Sequence, residues 1–209
     1  MIVQSLRSAG LPVLLACVSA VACSKKPANE DAFVSASLGP GASNLCPLGP
    51  GTPVLMVGAL QNAALPETVP NGQGGLDIDC QVSPNGSGYD IHLNAQVPGN
   101  MGGEIIITGQ VDASTGGTVS AQFLAVSGAA GTTYTAENDC TLTYTFMGAA
   151  LPAGQAGISA GSIFAHIDCP NAVNQGGSVS GVQVTTEDGG FSNAMCAGKA
   201  DFFFQNCSQ

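Results

Sequence analysis

Gly157-Ile158-Ser159-Ala160-Gly161 spells G-x-S-x-G, the pattern that presents a serine as an acyl-transfer nucleophile. That chemistry needs a strand before the serine, a helix after it, and then an acid and a histidine downstream to manage the proton. The surrounding stretch, ALPAGQAGISAGS, is instead a small-residue loop entering a strand, and His166 follows with no acid in between. A serine hydrolase built on Ser159 is therefore only a minor alternative, and no catalytic residue is expected.

Asp77 and Asp79 share one face of an alternating run and could act as paired carboxylates or bind calcium together with Asn85. Retaining glycosidases need two carboxylates about 5 Å apart, a spacing this pair could reach. The regular ligand spacing of a calcium loop is absent, so Asp77 and Asp79 are the candidates should a metal or a glycan bind, and no metal is expected. No Cys-x-x-Cys occurs, and His92 and His166 stand far apart among polar strand positions, which argues for solvated imidazoles rather than zinc ligands. No cofactor-binding phosphate loop, dinucleotide fingerprint or aromatic stacking platform is present.

The remaining reactive side chains are eight cysteines. The first two lie in a leader-like segment with Arg7 for positive charge, an apolar stretch from Gly10 to Ala22, and small residues before a cleavage point. The uncharged run from Ser8 to Ala22 contains Gly10 and Pro12 and is shorter than the ~20 residues that a bilayer-spanning helix requires. Ala20-Val21-Ala22-Cys23 resembles the lipobox of bacterial lipoproteins, in which the cysteine thiol receives diacylglycerol; Leu14-Leu15-Ala16-Cys17 resembles one too. Cysteine parity chooses between them. With Cys17 removed in the signal and Cys23 lipidated, six remain, Cys46, Cys80, Cys140, Cys169, Cys196 and Cys207, an even set suited to an oxidising compartment. Residues 1–22 are thus expected to be a signal peptide, and Cys23 to carry diacylglycerol and an N-acyl chain.

Ser24 to about Leu45 has little periodicity and reads as a flexible tether with a typical span of roughly 25 Å, so that 23–45 is anchor and tether and 46–209 is the folded domain. Glu30 and Asp31 are assigned to ordinary solvation. From Ser43 onward Lys199 is the one base among the carboxylates, which excludes a phosphate-neutralising nucleic-acid surface and disfavours adsorption of the domain itself to anionic lipid.

Periodicity in the domain is two. YDIHLNAQV sets Tyr89, Ile91, Leu93, Ala95 and Val97 against Asp90, His92, Asn94 and Gln96, and TLTYTF sets Leu142, Tyr144 and Phe146 against three threonines. Less regular runs recur at 53–60, 76–82, 103–111, 118–126, 161–169, 178–184 and 200–207, separated by Gly, Pro and Asn turns. The pattern predicts an all-β domain, an antiparallel β-sandwich or barrel of roughly nine short strands, stapled by disulfides. The best candidate for a helical turn is Phe191 to Ala197. Asp precedes Cys at Asp79-Cys80, Asp139-Cys140 and Asp168-Cys169, which places a carboxylate outside and a sulfur inside.

Six cysteines permit 15 pairings. If 140–146 pairs with 162–169, Cys140 and Cys169 fall opposite each other; Cys80 with Cys207 would tie an early strand to the last and leave Cys46 with Cys196. The lipobox, the tether, the segment LDIDCQVSPNGSGYDIHLNA and the terminal ADFFFQNCS together resemble small acidic bacterial envelope lipoproteins, among them the mycobacterial 19 kDa lipoprotein antigen family. That resemblance implies a surface-exposed β domain without catalysis and, within it, the pairing Cys80 to Cys207. The expectation is a module of the bacterial cell envelope held to the membrane by its lipid anchor, structural or ligand-binding, with a calcium- or glycan-binding domain as the alternative. Ser24 after the lipid-bearing cysteine points to the outer membrane if the source is Gram-negative.

Overall fold

A computed structural model describes residues 29–42, 45–60, 65–99, 102–127, 130–174, 183–185 and 191–209. The expected signal peptide and Cys23 lie outside them, as do residues 178–182 of one expected strand.

In chain order the strands are β1 (Asp31–Pro40), β2 (Thr52–Val57), β3 (Val69–Pro70), β4 (Asp77–Asn85), β5 (Gly88–Gln96), β6 (Gly103–Asp112), β7 (Gly117–Ser127) and β8 (Ala130–Thr143). They continue as β9 (Thr145–Phe146), β10 (Ala149–Ala150), β11 (Ile158–Ser159), β12 (Ser162–Asn174), β13 (Gln183–Thr185), β14 (Phe191–Asn193) and β15 (Met195–Gln205). One 3-10 turn spans Gln73–Gly75. The main antiparallel sheet runs β2-β1-β15-β12-β8-β7-β6-β5-β4, with β3 and β11 pairing off its path, and β9–β10 and β13–β14 pair apart from it as two-stranded sheets. The sheet curls on itself as a half-barrel of about nine strands.

Curling follows from alternation. One face of each strand is apolar, so Val34 and Leu38 of β1, Phe202 and Phe204 of β15, Ile167 of β12, Phe123 of β7 and Leu93 of β5 enclose one core. Gly198 of β15 shows how tightly the far walls meet, because a Cβ there would stand 2.6 Å from the ring of Phe123, three strands away along the sheet. Gly103 makes a second close approach, where β6 packs directly on the Val54 carbonyl of β2.

A curled sheet that does not close leaves edges, which are templates for aggregation. On β4 the outward backbone groups are capped one after another. Asn71 Nδ2 donates to the Ile78 carbonyl at 2.8 Å, while its Oδ1 accepts the Ile78 N–H at 3.1 Å. Glu30 accepts the Cys80 N–H at 3.4 Å, and Ser208 N–H reaches the Cys80 carbonyl at 2.9 Å. Ser208 in turn accepts the Val82 N–H at 2.9 Å, and Gly161 N–H donates to the Val82 carbonyl at 3.0 Å. Pro84, next in line, has no N–H to leave free.

Four expectations need correction. Residues 31–40 are not tether but β1, paired residue for residue with β15 from Asp31↔Gln205 to Pro40↔Cys196. Its alternating Ala32, Val34, Ala36 and Leu38 are buried, but alanine and serine give the alternation a weak hydrophobic contrast. Nor are Glu30 and Asp31 idle: Glu30 caps β4, and Asp31 accepts the Thr68 hydroxyl at 3.1 Å. Phe191 to Ala197 is extended, forming β14 and the start of β15, since pairing with β12 and β13 overrides local propensity. Finally, TLTYTF does not keep one face. The strand ends at Thr143, and Phe146 crosses to the outer side, where it packs with Phe33, Phe164 and Phe203 in a second apolar cluster.

Six cysteines form three disulfides, Cys46–Cys196, Cys80–Cys207 and Cys140–Cys169. The pairing His166↔Thr143, Ile167↔Leu142, Asp168↔Thr141 continues directly to Cys169 opposite Cys140.

Candidate functional site

Ser159 ends the two-residue strand β11, opposite Ser162 of β12, and is exposed at a tight turn through Gly161. No helix follows it. Among the described residues no serine donates to His166, which pairs instead with Asp201 of β15, Nδ1 to Oδ1 at 3.1 Å. Asp201 Oδ1 also accepts the Met147 N–H at 2.6 Å, so this one carboxylate ties β12, β15 and the β9–β10 hairpin together. Leu151 and Phe146 of the segment thus held lie over the outer phenylalanines. Asp201 and His166 act here as a clasp, and His166 is part-buried rather than the solvated imidazole expected from its polar neighbours.

Asp77 and Asp79 lie on the exposed face of β4 as the alternation requires. Gln96 donates to Asp77 Oδ2 at 2.9 Å. Asn85, at the far end of the same strand, donates to Asp90 Oδ2 at 2.8 Å, so the structure does not bring the three together. Among the described residues no group of three or more His, Cys, Asp or Glu side chains is arranged to hold a metal. His92 is exposed on β5, opposite Gln81 and Thr108. In each Asp-Cys step the sulfur is buried, while Asp139 accepts Asn171 at 2.9 Å and Asp168 meets Lys199 at 3.2 Å.

Sequence reasoning missed a concavity on the outer face of β6, β7 and β8. Val119 pairs with Cys140, yet Ala121 pairs with Ala136, so Glu137, Asn138 and Asp139 bulge against Ser120 alone. Asn138 takes the left-handed conformation, φ 51°, which asparagine tolerates better than most residues. Ser120 Oγ accepts the Asn138 N–H at 2.9 Å and donates to Asn138 Oδ1 at 3.3 Å, fixing the bulge. Beside it opens a cavity of about 320 Å³ lined by Thr108, Ser120, Gln122, Thr135, Glu137 and Asn138, with Ile106 and Ala121 as its apolar part. The signal for it was legible: Glu137-Asn138-Asp139 interrupts the alternation with three consecutive polar residues.

Among the described residues the largest electrostatic tuning lies in another place, around the β6–β7 turn. Asp112 is pulled from 3.8 to about 2 by hydrogen bonds from Ser114, side chain and then backbone, and from Thr115. Tyr144 donates to the Asp112 carbonyl at 2.6 Å, and burial, with the negative charge of Asp112 and Tyr89 beside it, pushes its phenol up to about 12. Burial also raises Tyr134. These shifts support a turn rather than a reaction centre. The chain matches no protein-family model, no curated protein and no solved structure.

Proposed function

We propose that the protein is a lipid-anchored module of the bacterial cell envelope, with diacylglycerol and an N-acyl chain on Cys23 and a disulfide-braced β domain that binds or supports rather than catalyses. The observation that carries this reading is parity. All six cysteines from Cys46 onward are paired with one another, so Cys23, in its lipobox-like setting, has no partner left in the domain once Cys17 departs with the signal. Such a disulfide set suits an exported chain. The engagement of His166 with Asp201 rather than with a serine among the described residues supports the non-catalytic part of the reading, and the acidity of the domain argues against a nucleic-acid partner.

Because β1 begins at Asp31, the tether is short. Ser24 to Glu30 can span at most ~25 Å when fully extended, so the rim bearing Asp31 would rest close to the headgroups instead of being lifted clear. Ser24 favours the outer membrane in a Gram-negative source. Mass spectrometry of the mature N-terminus, with detergent phase partition, tests the proposal: an acylated Cys23 in the detergent phase is expected, and Cys23→Ala should leave the chain unacylated and aqueous. A mature chain starting at Cys23 with a free thiol and wholly in the aqueous phase overturns it.

A further inference from the structure

We infer that the concavity beside the β8 bulge is a saccharide-binding site that takes one neutral sugar unit; this deepens the binding-module reading but does not depend on the lipid anchor. The side chains of Thr108, Gln122, Thr135 and Glu137 converge there with no hydrogen-bond partner of their own among the described residues. Hydroxyls and amides that both donate and accept, joined by a single carboxylate acceptor, match the vicinal hydroxyls of a pyranose, each of which also does both. Ile106 and Ala121 offer carbon to the C–H face of such a ring. A volume of about 320 Å³ lies at the small end of ligand pockets, which suits one sugar unit rather than an extended chain.

Other ligand classes fit worse. Phosphates and carboxylates would meet Glu137 with no cation in the lining, and acyl chains would strand the unpartnered Thr108, Gln122, Thr135 and Glu137. A metal ion would find one carboxylate, fewer than a hard cation requires. The floor of the groove is held in advance, because Ser120 locks Asn138 and Thr135 is only 8% exposed, while the exposed, unpartnered Gln122 and Glu137 are the side chains that binding orders.

The test is a nuclear magnetic resonance titration of the whole isotope-labelled chain, kept in a zwitterionic detergent free of sugar headgroups. The probes are methyl β-D-glucopyranoside, methyl β-D-galactopyranoside and N-acetylglucosamine, with inorganic phosphate as the control anion. At least one sugar should move the amides of Thr108, Gln122 and Glu137 with a dissociation constant on the order of 1 mM, and phosphate should not. Glu137→Gln and Gln122→Ala, both at exposed positions, should each weaken binding about tenfold with an unchanged melting temperature, whereas Asp77→Asn and Asp79→Asn should leave it intact. No response to any sugar, a response centred on Asp77 and Asp79, or one indifferent to the groove substitutions overturns the inference. A lipid-free but sugar-binding chain would sink the anchor alone.

Discussion

Asp112 concentrates four hydrogen bonds on one carboxylate oxygen: Ser114 N–H and Oγ at 2.8 and 2.6 Å, and Thr115 N–H and Oγ1 at 3.0 and 3.2 Å. Each favours the ionised form, so the folded chain holds this proton less tightly than the unfolded one does. The stabilisation is complete above the unfolded value of 3.8 and is lost as pH falls through about 2. Thermal melts of wild type and Asp112→Ala should therefore differ most above pH ~4 and converge towards pH ~2. A gap independent of pH would mean that the carboxylate's charge does not matter to the turn. None of this was visible in the sequence, where Asp-x-Ser-Thr before Gly116 reads only as turn composition. By contrast, the outward aspartates and inward sulfurs of the three Asp-Cys steps were legible, since alternation alone dictates them.

Individual strands were legible wherever large β-branched or aromatic residues mark the inner face, as in β5 and β6. They were obscured in β1, where alanine and serine alternate, and at Phe146, where the chain breaks register to cover the outer phenylalanines. The bulge left a trace in the three consecutive polar residues Glu137 to Asp139, but the groove beside it did not, because it depends on two strands slipping past each other at Ser120, a relation between elements rather than a property of either. Between elements, the disulfides differ in reach: 29 residues separate Cys140 from Cys169, and 150 separate Cys46 from Cys196. In the chain-entropy account these are worth roughly 3.6 and about 5 kcal/mol respectively when each is taken alone. Their loops overlap, so the contributions are not additive. Equilibrium unfolding of the double serine variants should show the Cys46/Cys196 pair costing more than the Cys140/Cys169 pair. The reverse order would place native-state packing above loop closure as the source of stability.

At the scale of the molecule, the curl of the sheet depends on small residues where opposite walls touch. Gly198→Ala puts a methyl group against Phe123 and should cost about 1–3 kcal/mol in unfolding free energy, from overpacking alone. Ala200→Gly, two residues along on the same face of β15, removes a methyl group instead and supplies the comparison, so that a loss specific to Gly198 is read as collision rather than as general intolerance. A neutral Gly198→Ala would show that the walls can part.

The pairing of Asp31 with Gln205 also constrains how the molecule comes into being. A ribosome makes β1 first among the described strands and β15 last, yet each lies beside the other, and β1 has little else to join but the six-residue β2 and the two-residue β3. One edge of β1 must therefore wait, with β2 and β3 on the other, until β15 has been translated, and a chain cut short before Met195 loses the strand that links β1 to β12. Closure of the sheet therefore waits on β15, the last of the described strands to leave the ribosome.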